Sequence, residues 1–218
     1  MKYGKNIVFK PEKLHSLNID KQTVNLIPEA AKILEIGCAT GFMGKYLEVK
    51  KKNTVIGVEK SHDEFLEAKK VLSKVINGDI EDASVIKSIM KEGSFDVVLA
   101  SALIQHLRNP LAALKTWRKF LKKDGFLIIT GSNITHWTIR KKILFGDFTY
   151  EDYGLLDNTH LHFYTPKTFK KLIKDAGYKI VDYKEDYVGG GYPKISIIGH
   201  KLFPDLFTYQ MVIKAVPI

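Results

Sequence analysis

Between residues 33 and 130, short runs of aliphatic and β-branched side chains alternate with stretches whose apolar positions recur every three to four residues. The short runs are KILEI (32–36), TVIGVE (54–59), KVING (74–78), FDVVLAS (95–101) and GFLIITG (125–131). Each is nearly continuous in apolar side chains, as strands covered on both faces must be. The intervals predict helices over 42–50, 62–72, 83–91 and 110–121, with Pro110 at a first helical position and LKKDG ending the last of them. Strands and helices in such alternation predict a parallel sheet with right-handed crossovers.

Beyond the fifth run the pattern changes. Thr165 before Pro166 and Gly177 after Ala176 bracket a helix over 166–176. YKIVDYKE and FTYQMVIKAV then predict two further strands, paired antiparallel at the sheet edge. No internal repeat interrupts the chain, so a single domain over 1–218 is expected. Its parts would be an N-terminal segment (1–31) with a helix over 20–30, a ligand-binding core (32–131), a lid or substrate region (132–165), and a C-terminal helix with edge strands (166–218). That last part carries an insertion at 188–206, with linker-like composition at 189–191.

Composition refines this little. With 218 residues, 45% of them hydrophobic and 27% charged, the chain can bury one sizeable core. Its longest nearly apolar run, VVLASALI (97–104), falls short of the roughly 18 residues that a membrane span requires, and the N-terminus lacks the apolar stretch of a secretory signal. Cys38 alone can form neither an intrachain disulfide nor a thiolate zinc cluster. A cytoplasmic, reducing setting is the simplest expectation. The net charge of +10 would suit an anionic substrate, nucleic acid or an acidic membrane surface. The basic residues are nevertheless scattered beside helical apolar positions, as on solvated faces.

Candidate chemistry gathers where the predicted strands end, which is where doubly wound sheets bind their ligands. Glu35 closes the first run, and a buried carboxylate there needs a partner or a cation. Gly37-Cys38-Ala39-Thr40-Gly41 then turns into a helix at Phe42, its glycines letting the backbone approach a ligand. Glu59 and Lys60 follow the second run, Glu59 standing about 18 positions after Gly41, near the place where dinucleotide folds put an acid for ribose hydroxyls. Asp79 follows the third run and Ser101 the fourth. Each has a plainer reading: a turn glycine, a surface acid at Glu59, a helix N-cap at Asp79. Their joint spacing favours the ligand. A dinucleotide fingerprint of the form G-x-G-x-x-G would require glycine where Ala39 stands, which argues against a nicotinamide cofactor.

In order, LEIGCATG, GVEKS, NGDIED, FDVVLASALIQHLRNP and FLKKDGFLII resemble the successive motifs of class I S-adenosylmethionine-dependent methyltransferases, in their small-molecule, type 11-like branch. The resemblance spans about 33–131. It implies an α/β, doubly wound, Rossmann-like fold with a mostly parallel seven-stranded sheet and an antiparallel edge hairpin. It implies S-adenosylmethionine as cofactor and S-adenosylhomocysteine as product. Glu35, Gly37, Ala39 and Gly41, with Cys38, Thr40 and Phe42 in the same turn, would surround the methionine part. Glu59 beside Lys60 would take the ribose hydroxyls, Asp79 and Ile80 would meet the adenine, and Ser101, Ala102, Leu103 and His106 would line the reactive side. The chain departs from the family pattern at Ala39, usually glycine, and at Gln105, often glutamate.

A sulfonium methyl is already electrophilic, so alignment supplies much of the acceleration, and a hydroxyl acceptor further needs a base such as histidine. His106 lies just beyond the fourth predicted strand, where many relatives carry a histidine. The stretch LLDNTHLHFYTPKTFKKLIKDAGY (155–178) resembles one found in methyltransferases of small and sugar-linked substrates. In it, His160 and His162 alternate with Leu161 and Phe163 and are expected on one face of an extended segment. His160 and His106 are the candidate catalytic residues, and no metal is expected because no cysteine or carboxylate motif joins the histidines. Cys38 sits in the cofactor turn, and LASALIQ replaces the Asn/Asp-Pro-Pro-Tyr type of motif used on exocyclic base amines. Both features count against nucleic-acid base methylation.

Trp137, Ile139, Ile143, Leu144 and Phe145 flank a basic stripe at 140–142, forming either a lid or an ordinary amphipathic helix. With ISIIGHKLFPDLF they also offer an apolar surface for a lipid-linked acceptor at a membrane or for a second subunit in a homodimer. The expected function is methylation, chiefly of oxygen, on a small-molecule or lipid- or glycan-linked acceptor with histidine-assisted deprotonation. An RNA methyltransferase and a noncatalytic module binding S-adenosylmethionine or S-adenosylhomocysteine are the alternatives.

Overall fold

The computed structural model describes residues 9–189 and 193–218. Seven strands form one sheet: β1 (Lys32–Ile36), β2 (Thr54–Glu59), β3 (Lys74–Asn77), β4 (Phe95–Ala100), β5 (Leu121–Ser132), β6 (Tyr178–Asp186) and β7 (Gln210–Pro217). Their spatial order is β3-β2-β1-β4-β5-β7-β6. The first five pair in parallel, whereas β7 runs antiparallel to both β5 and β6. The predicted antiparallel pair is therefore present, with β7 inserted next to β5 and β6 taking the edge. The order reverses between β1 and β4, which opens a crevice at the carboxyl ends of those two strands.

Helices cover both faces. On one side α1 (Ile19–Asn25), α2 (Phe42–Lys51) and α3 (His62–Ala68) bury Ile19, Val24, Met43, Leu47 and Ala68 against Ile33, Val55, Val97 and Leu99. On the other, α4 (Ala83–Lys91), α5 (Pro110–Trp117) and α7 (Pro166–Asp175) bury Ile89, Leu114, Trp117, Phe169 and Ile173 against Leu34, Ile56, Val98 and Ile129. The alternation of inward side chains along each strand thus feeds two separate cores, which is why the strands lack a polar face. Beyond β5 lies α6 (Trp137–Leu144), and before β7 come α8 (Pro193–Leu202) and α9 (Pro204–Phe207).

Several predicted boundaries move. The helix expected over 62–72 stops at Ala68, because the chain turns there and drops Val71 and Leu72 onto Gly41. The helix expected over 110–121 ends at Trp117, tightens into a 3-10 turn at Arg118–Phe120, and gives way to β5. LKKDG is therefore not a helix stop. It belongs to β5, whose pairing runs Phe95 to Leu121, slips, and resumes at Val97 to Phe126. The helix expected over 20–30 is the shorter α1, and the insertion takes helical form in α8 and α9. Residues 1–8 of the predicted N-terminal segment and 190–192 of the predicted insertion, including most of the linker-like 189–191, lie outside the described residues. Among the described residues, no helix is long and apolar enough to cross a membrane.

Candidate active site

The loop from β1 to α2 folds as it does because three of its residues adopt left-handed backbone: Gly37 (φ 73°), Ala39 (φ 48°) and Gly41 (φ 78°). Gly37 N and Cys38 N donate to Val58 O at 2.8 and 3.1 Å, and Ala39 N donates to Glu59 Oε2 at 2.8 Å, so the loop is laced to the end of β2. A side chain at Gly37 would meet Leu103, whereas one at Gly41 would meet Val71 and Leu72. Glu59 is buried, and its other oxygen accepts from Ser61 N at 2.8 Å. Each carboxylate oxygen has a second lone pair to offer a hydroxyl.

Glu35 is enclosed beneath this loop. Burial pushes its carboxyl up to about 8, the Gly44 backbone N–H offsets part of that, and Glu48 and Glu59 push it further. The close approach of α2 to this carboxyl requires Gly44, since a Cβ there would lie 2.5 Å from Glu35 Oε2. Cys38 is buried and its thiol is pushed far up by burial and then by Glu35 and Glu59, so it is no nucleophile.

At the end of β3, Asp79 bonds Lys60 at 2.9 Å and Arg108 at 3.3 Å. Burial alone would raise its pKa, but the Glu81 N–H, Lys60 and Arg108 outweigh that and hold the carboxyl below its ordinary value. Glu81 in turn accepts from Arg108 N and Asn109 N, both at 2.8 Å, clamping the loop after β3 to the one after β4. Asp79 is not a helix cap: the cap position of α4 is Asp82, and Asp79 accepts from Glu81 N within the turn. After β4, Ala102 is left-handed (φ 51°) and donates its N–H to Thr130 Oγ1 at 2.7 Å.

These strand ends line one cavity of about 1040 Å³. Small-molecule sites run to roughly 300–1,000 Å³, so this space can take a nucleoside-sized cofactor and an acceptor together. Of the residues singled out in the sequence, Glu35, Gly37, Cys38, Ala39, Phe42, Glu59, Lys60, Asp79, Ile80, Ser101, Ala102, Leu103, His106 and His160 all line it. Thr40 and Gly41 do not. The Gly37 turn and the Glu59 carboxylate suit a ribose-bearing ligand with a charged tail, as the methyl donor is.

The cavity is also lined by residues that the motifs did not reveal: Asn18 and Asp20 of the N-terminal helix region, Tyr153 to Leu155, Asp157, Thr159, Tyr209 and Gln210. They come from three segments distant in sequence, and only Asp157 and Thr159 stand beside a histidine already noticed. The His106 and His160 ring centroids are 4.8 Å apart at 62°. His162 does not line the cavity that His160 lines, whereas their alternation predicted a shared face. The segment is irregular rather than extended, because Gln105 O accepts from both Leu161 N and His162 N, and His162 Nε2 meets Arg108 O at 3.4 Å. Helix α6 buries Ile139 against Leu155 and Leu156 but leaves Ile143, Leu144 and Phe145 exposed, and it does not itself line the cavity.

A methyltransferase domain family matches residues 12–183, well over half of the chain. The chain belongs to this methyltransferase family. Its class is that of the S-adenosylmethionine-dependent class I enzymes, and S-adenosylmethionine is the cofactor. Among curated relatives, the methyltransferase chain is 21% identical over 183 residues to the mitochondrial ubiquinone biosynthesis O-methyltransferase of Dictyostelium discoideum, covering 79% of the chain and 57% of the relative. It is 24% identical over 168 residues to the ubiquinone biosynthesis O-methyltransferase of Bartonella bacilliformis, covering 76% of the chain and 67% of the relative. The chain thus spans little more than half of the first relative's length and about two thirds of the second's. A crystal structure of an S-adenosylmethionine-dependent methyltransferase from Archaeoglobus fulgidus shares the fold with a TM-score of 0.62 at 18% identity, over 89% of this chain and 90% of that one.

Proposed function

We propose that this methyltransferase chain methylates a hydroxyl oxygen on an uncharged small molecule, with His106 as the base and His160 beside it. The observation that carries this reading is the meeting, in one cavity, of the strand-end polar residues with two adjacent imidazoles. When bound, S-adenosylmethionine supplies a methyl group on a sulfonium, which an acceptor lone pair takes as the carbon–sulfur bond breaks. In this reading the Glu35–Phe42 turn surrounds the methionine part, Glu59 beside Lys60 takes the ribose hydroxyls, Asp79 and Ile80 meet the adenine, and Ser101 to Leu103 flank the reacting methyl.

The acceptor's charge follows from the other residues. Among the described residues lining the cavity, the Lys and Arg side chains are Lys60 and Arg108, and both are engaged by Asp79. The acids Asp20 and Asp157 belong to the same lining. Among the described residues, a phosphate or carboxylate on the acceptor would meet no unengaged Lys or Arg in this lining, which favours a phenol or alcohol over RNA. Apolar contact from Ile19, Leu155 and Leu161 and ring faces from Tyr153 and Tyr209 suit such a molecule. The relatives named as O-methyltransferases of ubiquinone biosynthesis support oxygen as the target. Residues 132–165, with Tyr153 and Leu161, form the acceptor side of the single methyltransferase domain in this proposal.

Incubation with methyl-labelled S-adenosylmethionine and a metabolite extract tests it. Label is expected on a hydroxyl of a neutral compound, identified by mass spectrometry, and His106→Gln is expected to lower the rate by about 10²-fold or more. Label on nothing would point to a binding module, and label on RNA would overturn the acceptor class.

A further inference from the structure

His106 is held by groups that decide which of its nitrogens carries the proton. Asp157 is buried at 4% exposure, and its Oδ1 accepts from Thr159 N at 2.8 Å and from Thr159 Oγ1 at 2.6 Å. The same Thr159 hydroxyl oxygen lies 3.1 Å from His106 Nδ1, and the Thr159 carbonyl oxygen lies 3.2 Å from it. A threonine hydroxyl has one proton, and the short contact to Asp157 engages it. Toward His106 the hydroxyl therefore offers a lone pair, and a carbonyl oxygen can offer nothing else. Both of these oxygens accept, so toward them Nδ1 donates. In a neutral imidazole that leaves the lone pair on Nε2.

We propose that Asp157 and Thr159 are positioning residues that hold His106 as its Nδ1–H tautomer, making Nε2 the basic nitrogen for the acceptor. This rests on His106 being the base, as in the proposed function. The turn that carries them is pinned on both sides, since His160 N donates to Asp157 O at 3.0 Å and Leu161 N donates to Gln105 O at 2.8 Å. In the step itself, the acceptor's O–H proton passes to Nε2 while its oxygen lone pair forms the bond to the methyl carbon. The electron pair of the broken carbon–sulfur bond stays on sulfur, leaving a neutral thioether. The imidazolium keeps its Nδ1–H on Thr159, with the Asp157 carboxylate one hydroxyl away, and later returns the Nε2 proton to water. A carboxylate that sets a tautomer this way contributes orders of magnitude where it has been measured in hydrolase triads.

The ring nitrogens report the arrangement without any acceptor. In the full chain labelled with ¹⁵N in its imidazoles, long-range ¹H–¹⁵N spectra distinguish the two neutral tautomers, and His106→Gln assigns the signal among the seven histidines. Neutral His106 is expected to be protonated on Nδ1. Thr159→Val is expected to shift population toward the Nε2–H form, and Thr159→Ser to restore the wild-type pattern. His106 protonated on Nε2 in the wild type overturns the proposal, and a Thr159→Val spectrum identical to wild type overturns the role of the Thr159 hydroxyl and Asp157, the Thr159 carbonyl alone then holding Nδ1–H. The wild-type spectrum decides alone if the valine variant fails to fold. Calorimetric binding of S-adenosylhomocysteine to the same samples separates the two claims: a wild type that does not bind it overturns the site reading beneath the proposal, whereas binding with the wrong tautomer overturns the relay only.

Discussion

Glu35 shows how a residue at the site works against the fold that holds it. Its carboxyl, pushed up to about 8 by burial, keeps its proton in the native state where the unfolded chain, titrating near 4.5, has lost it. The native state binds the extra proton, so stability falls as pH rises through that window. His136, also buried, is pushed down to about 4 from 6.5 and acts in the opposite sense below 6.5. Above 6.5 the His136 contribution has ended while that of Glu35 persists up to about 8. Unfolding free energy from denaturant titration is expected to decline across that interval more steeply in the wild type than in Glu35→Gln; equal slopes would contradict the assignment. Ala39 and Ala102 carry a related burden. Both are left-handed, which disfavours an alanine by about 1–2 kcal/mol, and both sit at strand ends facing the cavity.

At the scale of elements, the runs that became β1 and β2 were legible with their observed bounds, because a strand buried on two faces leaves an unbroken apolar signature. β5 was not, since its first turns carry Lys122, Lys123 and Asp124 on an exposed stretch that reads as a loop. The end of α3 was hidden for a tertiary reason: Lys69 to Leu72 continues a helical pattern, yet Leu72 is needed against Gly41 and Gly57. Helix α7 was legible from Thr165 before Pro166 and Gly177 after Ala176, and its start is held by a reciprocal cap, with Thr165 N to Thr168 Oγ1 at 2.8 Å and Thr168 N to Thr165 Oγ1 at 3.1 Å. Thr165→Ala is expected to lower stability by about 1 kcal/mol in equilibrium unfolding, and Thr165→Ser to lower it much less. No change in the alanine variant would mean that the packing of Phe169 and Ile173 alone sets this helix.

For the whole molecule, the strand-end lining of the cavity was legible and the rest of its lining was not. The first is built from consecutive strand ends whose spacing is written along the chain, so Glu35, Glu59, Asp79 and Ser101 could be paired before any fold was seen. The second joins Asp20, Asp157 and Tyr209 across the molecule, and only the topology brings them together. The net charge of +10 misleads for the same reason, because composition does not say that, among the described residues, the Lys and Arg lining the cavity are tied to Asp79 while Asp20 and Asp157 also line it. The central claim is that these strand ends hold S-adenosylmethionine, with Glu59 on its ribose. Calorimetric titration of S-adenosylmethionine into wild type and Glu59→Ala tests it most directly. One site per chain is expected, weakened at least about tenfold (~1.4 kcal/mol) by the substitution; absent binding in the wild type, or equal affinity in the two proteins, would contradict it.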